Sequence, residues 1–138
     1  ALQEHGIAID ERLISRGSPN EVGGEEAMTG LLGRGRNMTA VVCYNDSMAA
    51  GALSVLSDNG MDVPGDISLV GFDDVLIARY LRPRLTTVRY PIITMATQAA
   101  ELALALAEHR PPPEITHLFS PTLVRRHSVI APLGSDKS

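Results

Sequence analysis

Met38-Thr39-Ala40-Val41-Val42-Cys43-Tyr44-Asn45-Asp46-Ser47 and, further on, Ile67-Ser68-Leu69-Val70-Gly71-Phe72-Asp73-Asp74 follow one plan. Each is a short, mostly apolar run that ends in a cluster of polar residues. An apolar run without polar alternation reads as a strand covered on both faces. Between the two runs, residues 47–58 carry apolar side chains at helical spacing. Asn45-Asp46-Ser47 supplies the capping chemistry at its start, and Asn59-Gly60 closes it. Strand, helix and strand in that order imply parallel strands joined by a right-handed crossover. The expected fold class is α/β, a parallel sheet with helices on both faces.

The same alternation extends in both directions. Residues 1–6 read as the tail of a helix closed by Gly6. Arg12 to Arg16 fits a short strand. Ser18-Pro19-Asn20 then starts a helix that runs to about Leu32, where Gly33-Arg34-Gly35-Arg36 breaks it. On the other side, Pro64-Gly65 makes a turn, and Leu85 to Tyr90 is extended. Pro91 opens a long helix to about His109, since proline is tolerated in a first helical turn. Pro111-Pro112-Pro113 stops it, Leu118-Phe119 and Leu123 to Val129 are further candidate strands, and the polar tail after Pro132 is expected to fray. No internal repeat is visible.

Composition narrows the function. The formal net charge is -4, whereas nonspecific binding to DNA phosphates needs a basic face. Trp is absent and aromatics make up 4%, too few for a platform that stacks single-stranded bases. No apolar run approaches the roughly 18 residues of a membrane span. A single cysteine, Cys43, excludes an internal disulfide and fits a reducing compartment. Inside an apolar run it is expected to be a buried, inert thiol. The nucleophile-elbow, zincin and P-loop motifs are missing. His5, His109, His117 and His127 lie far apart, without metal-ligand spacing. An enzyme is not expected, and neither a cofactor nor a metal is called for. The chain begins at Ala1 without an initiator Met or a basic-then-apolar leader, so it is expected to be part of a longer protein.

Ligands of open parallel sheets sit beyond the carboxyl ends of the strands. That rule selects Arg16-Gly17-Ser18, Asn45-Asp46 and Asp73-Asp74. Carboxylates accept strongly and amides both donate and accept, which suits a polyol. The residues alone leave alternatives open. Asn45 is a helix cap or a ligand contact. Asp46 is assigned to capping. Asp73 and Asp74 are neighbours whose side chains should diverge, with Asp74 stabilising the turn and Asp73 either doing the same or meeting a ligand.

Tyr44 to Gly51 resembles the strand-to-helix segment of LacI-type bacterial transcription repressors. Val63-Pro64-Gly65-Asp66-Ile67-Ser68-Leu69-Val70-Gly71-Phe72-Asp73-Asp74 looks like their strand-and-turn hallmark. Leu85-Thr86-Thr87-Val88 is similar to the segment where the chain crosses between subdomains, and Pro121-Thr122-Leu123-Val124-Arg125-Arg126-His127-Ser128 to their last strand. The resemblance implies a cytoplasmic regulator whose periplasmic-binding-protein-like subdomains close on a small, galactose-like sugar. Operator DNA would be read by a headpiece absent from this chain. Residues 1–90 would form most of the carboxy-terminal subdomain, 91–110 a helix returning to the other subdomain, 118–130 the final strands and 131–138 a flexible tail. Carried over by position, Asp73 and Asn45 match ligand contacts, while Tyr90 and Ile92 lie near the cleft. Pro19 falls where relatives place an aromatic that stacks on the effector, a departure that weakens that wall. A periplasmic sugar-binding protein of a transporter shares the fold and stands as the rival reading.

Helix 47–58 carries one apolar stripe of Met48, Ala52, Val55 and Leu56, which Ala49, Ala50 and Leu53 extend around the helix. The extra apolar surface fits either an Ala-rich helix or a second buried contact. The resemblance favours the second, placing Ala50, Leu53 and Ser54 with Ile77, Tyr80 and Leu81 at a homodimer interface. Helix 91–109 is apolar nearly all round and is expected to pack against a partner chain or to swap.

Overall fold

The computed structural model describes residues 2–35, 37–110 and 118–131. Helix α1 (Glu21–Gly33) is followed by strand β1 (Ala40–Val42), helix α2 (Asp46–Asp58), strand β2 (Ser68–Val70) and the short helix α3 (Ile77–Tyr80). Strand β3 (Thr87–Arg89), helix α4 (Ile92–Ala107) and strand β4 (Thr122–Val124) complete the order. β1 and β2 pair in parallel, with Val41 opposite Leu69, as the strand–helix–strand pattern requires. β2 also meets the start of β3 in parallel through Val70 and Thr86, and β3 pairs antiparallel with β4.

Both long helices of the first half begin where their caps put them. Asn20 accepts from the Gly23 amide at 2.9 Å, and Asn45 accepts from the Met48 amide at 2.8 Å. α1 packs on α2, and the core lies between them and β2, around Met28, Leu56, Ile67, Leu69 and Leu85, each almost fully buried. Of α4, only Ala105 is buried. Met95, Gln98 and Leu102 are half-buried and the rest of the helix is exposed, Ile93 at 79%. Among the described residues no helix is long and apolar enough to cross a membrane.

Several expectations need correction. Residues 12–16 do not form a strand. Asp10 accepts from the Arg12 amide at 3.0 Å and pairs with its guanidinium, winding Glu11–Leu13 into a 3-10 turn. The first residues likewise form a 3-10 turn, Gln3–His5, closed by Gly6 at φ 69°. β1 is not covered on both faces, since Val42 is 79% exposed. The last strand is only Thr122–Val124. Beyond it, side-chain bonds replace a ladder, because the Arg126 amide donates to Thr86 Oγ1 at 2.9 Å and the Thr86 amide to Ser128 Oγ at 2.8 Å. Residues 118–120 have no regular structure. The triple proline and the polar tail from Pro132 lie outside the described residues.

Candidate functional site

Three chain segments leave the sheet on one edge. β1 delivers Tyr44 and Asn45, β2 delivers Phe72 and Asp73, and β3 delivers Tyr90. Backbone bonds hold these ends together. The Asp46 amide donates to the Phe72 carbonyl at 2.9 Å, and the Asp73 amide to the Val88 carbonyl at 2.9 Å. The strand ends therefore converge, as the rule for parallel sheets expects.

Asp73 and Tyr90 line one cleft, together with Tyr44, Phe72 and Met95. Phe72 and Tyr90 stack with ring centroids 5.7 Å apart. The carboxylate of Asp73 beside the Tyr90 phenol raises the phenol's pKa, with smaller contributions from desolvation and from Tyr44. An open carboxylate flanked by aromatic faces can accept from hydroxyls on one side and cover C–H surface on the other. The chain has two Phe, three Tyr and no Trp, and three of those aromatics meet here. The concentration is local and not a consequence of composition.

Pro19 lies in an adjoining hollow with Ser15, Arg16, Gly17 and Met48, and Tyr44, 76% exposed, borders both hollows. Asn45, next to Tyr44 in the chain, lines neither hollow, and its amide is committed: its oxygen caps α2 and its nitrogen donates to the Pro19 carbonyl at 3.0 Å. Ile92 is 57% exposed at the start of α4 and does not line the cleft, where Met95 does instead. Tyr44, Phe72 and Met95 were missed in the sequence. An exposed aromatic directly before a strand-end cap was the available signal for Tyr44.

The neighbouring aspartates diverge as expected. Asp73 opens to the cleft, whereas Asp74 turns inward to Arg89 and Arg126. Both residues hold positive φ, 105° and 54°, a conformation that aspartate tolerates better than most side chains. Asp46 is not the cap that sequence reasoning made it. Its side chain is fully buried and accepts from Thr87 Oγ1 at 2.6 Å and from the Val75 amide at 2.8 Å.

On the proposed interface face, Ala50, Leu53, Ile77 and Leu81 are half-buried, while Ser54 and Tyr80 are exposed. Leu53 and Leu81 also pack against the core. Cys43 is half-buried and lines a separate hollow with Met28, Leu31 and Val41. Burial, and secondarily the charge of Asp46, push its thiol up to about 12. A thiolate fraction on the order of 10⁻⁵ at neutral pH follows. Ellman's reagent at pH 7.4 should therefore label the folded chain much more slowly than the chain unfolded in urea, and equal rates would contradict the raised thiol pKa. Among the described residues no group of three His, Cys, Asp or Glu could hold a metal.

Comparison with known proteins places the chain among relatives. The description "periplasmic binding protein-like domain" matches residues 1–129. The HTH-type transcriptional regulator GalR of Escherichia coli strain K12 is 76% identical over 132 residues, covering 96% of this chain and 38% of that protein. A crystal structure of a sugar-binding transcriptional regulator of the LacI family from Escherichia coli, complexed with phosphate, is 39% identical with a TM-score of 0.85. It covers 96% of this chain and 47% of that one. A complex of the transcriptional regulator CelR with cellobiose is 32% identical with a TM-score of 0.85, over 94% of this chain and 39% of that one. The chain thus spans less than half the length of these relatives.

Proposed function

Because the chain belongs to the periplasmic-binding-protein-like family, in the form carried by LacI-type transcription regulators, we propose that it is the effector-binding and dimerising part of a sugar-responsive repressor, with a galactose-like hexose as effector. The observation that carries this reading is the cleft in which Asp73 stands among Tyr44, Phe72 and Tyr90. A hexose offers hydroxyls to a carboxylate and C–H surface to aromatic rings. In this reading Asn45, Pro19 and Ile92 stand as contacts carried over from the resemblance: Pro19 lines the adjoining hollow and accepts from Asn45, and Ile92 opens the helix that brings Met95 to the cleft. The fold relative with bound cellobiose supports a saccharide over other small polar ligands.

In this reading a second layer of the whole protein closes the cleft and covers the apolar faces of α4. A homodimer forms through Ala50, Leu53, Ser54, Ile77, Tyr80 and Leu81. Operator DNA is contacted through a headpiece, and this segment as a whole, with a net charge of -4, is not drawn to phosphate. Sugar affects DNA binding only insofar as it binds the two arrangements of the dimer with different affinity.

The test uses a chimera in which this chain replaces the matching segment of the Escherichia coli GalR relative. A hexose at about 100 times its dissociation constant stabilises a single-site protein by roughly 2.7 kcal/mol. Thermal unfolding with D-galactose, D-fucose and D-glucose should show that shift with galactose, and Asp73→Ala should abolish it without dissociating the dimer. No shift with any hexose would remove the sugar assignment.

A further inference from the structure

The buried carboxylate of Asp46 does not line the cleft, yet the residue bonds to the 72–75 loop and to β3, which deliver Asp73 and Tyr90 to it. It sits at the first turn of α2, directly after the Asn45 cap. One oxygen accepts from Thr87 Oγ1 on β3 at 2.6 Å, and the other accepts from the Val75 amide at 2.8 Å. Its own amide donates to the Phe72 carbonyl at 2.9 Å. Asp73 lies between those two loop contacts, at φ 105°. A non-glycine residue keeps such a backbone only when its surroundings over-determine it.

Gly71 is cut to fit this carboxylate. A Cβ there would come within 2.2 Å of Asp46 Oδ1 and 2.8 Å of a Leu85 methyl. The loop can pass Asp46 closely only because residue 71 has no side chain. Thr87 is shared in turn, since its hydroxyl oxygen also faces the Asp74 amide at 3.4 Å. α2, the 71–75 loop and β3 are therefore joined at one buried point.

We propose that Asp46 is the positioning residue that holds the 72–75 loop, and with it the Asp73 carboxylate, in place beside the Tyr90 phenol. It acts through the loop backbone and touches no ligand. The proposal rests on the reading of Asp73 as a sugar contact only for its consequence on affinity. Its test needs no sugar, so the two can fail separately.

The Tyr90 phenol reports where the Asp73 carboxylate is, because that carboxylate raises its pKa. In the 138-residue chain, Asp46→Ala should move the Tyr90 titration, followed by NMR at the ring carbon bearing the hydroxyl, down toward that of a free tyrosine. The Val75 amide should lose about tenfold or more of its protection from hydrogen exchange, while the β1–β2 ladder keeps its protection. A purely structural role would lower protection throughout instead. Asp46→Asn should rescue both readouts, since its oxygen can accept from Val75 and its nitrogen can donate to the Thr87 hydroxyl. If Asp46→Ala does not fold, Thr87→Val removes one of the two contacts and should move Tyr90 in the same direction. An unchanged Tyr90 titration with a protected Val75 amide, in whichever of Asp46→Ala and Thr87→Val folds, would overturn the proposal.

Discussion

Asp74→Ala is expected to destabilise the chain by about 3–5 kcal/mol, the cost of leaving one partner of a buried ion pair alone. The Asp74 side chain is 2% exposed and joins two guanidiniums. Arg89, 53% exposed, can swing to water when its partner goes, and its pairing alone would be worth at most about 1 kcal/mol. Arg126 decides the magnitude. Its side chain is 12% exposed, and one of its nitrogens already donates to the Leu85 carbonyl at 2.8 Å. It cannot reach solvent without giving up that bond, so alanine at position 74 leaves a buried charge unpaired. Urea unfolding with linear extrapolation measures the difference. A loss under about 1 kcal/mol would mean that the cluster behaves as an ordinary surface pair.

The same cluster sets an acid limb. Burial alone would raise the Asp74 pKa, but the hydrogen bonds and charges of Arg126 and Arg89 outweigh it and hold the carboxyl below its ordinary value. A depressed carboxylate contributes stability that is complete above its unfolded pKa, about 3.9, and is lost as pH falls through the folded value. The stability gap between the parent chain and Asp74→Ala should thus be constant from pH 7 down to about 5 and narrow below 4. Asp46 works in the opposite sense. Burial is the largest influence on it and raises its pKa, so the folded state takes up that proton before the unfolded chain does.

What could be read from the residues was what local chemistry determines. Asn20 and Asn45 cap the helices that follow them because capping involves a residue and an amide three positions on. Parallel pairing of β1 and β2 follows from two apolar runs around one helix. The failures share a different cause. Arg12 to Arg16 has the composition of a strand, but the Asp10–Arg12 contact turns the chain before a ladder can start. Asp46 looks like a cap in any local window, whereas its hydroxyl partner, Thr87, is 41 positions away. Tyr44, Phe72 and Tyr90 become one cleft only through the register that puts three strand ends side by side. Asp73, which lies in the cleft lining, is the residue that both the strand-end rule and the resemblance named.

Gly51→Ala separates a propensity argument from a packing argument, because the two predict opposite signs. In a helix interior, replacing glycine by alanine ordinarily stabilises by about 0.5–1 kcal/mol. Gly51, however, faces the start of α1, where a Cβ would lie 1.9 Å from the Glu21 carbonyl oxygen and 2.9 Å from the Glu25 nitrogen. The contact is reciprocated, since a Cβ at Gly24 would lie 2.2 Å from the Met48 carbonyl oxygen. Every clashing atom is backbone, so no side chain can swing aside and the helices themselves must part. Overpacking costs about 1–3 kcal/mol in general and sometimes more, and a rigid clash this close belongs at about 3 kcal/mol or beyond. Parting α1 from α2 also strains the Ser47–Glu21 bond and the tie from Asn45 to Pro19, 2.8 and 3.0 Å long, so the edge of the cleft moves with the core. Gly30 supplies the control on α1, because the nearest atom to a Cβ there is Ser15 Oγ at 3.6 Å. Gly30→Ala should follow propensity and stabilise by up to about 1 kcal/mol, while Gly51→Ala loses about 3. If urea midpoints instead rise for both variants, the helices slide past one another freely and the glycine contact does not fix their crossing.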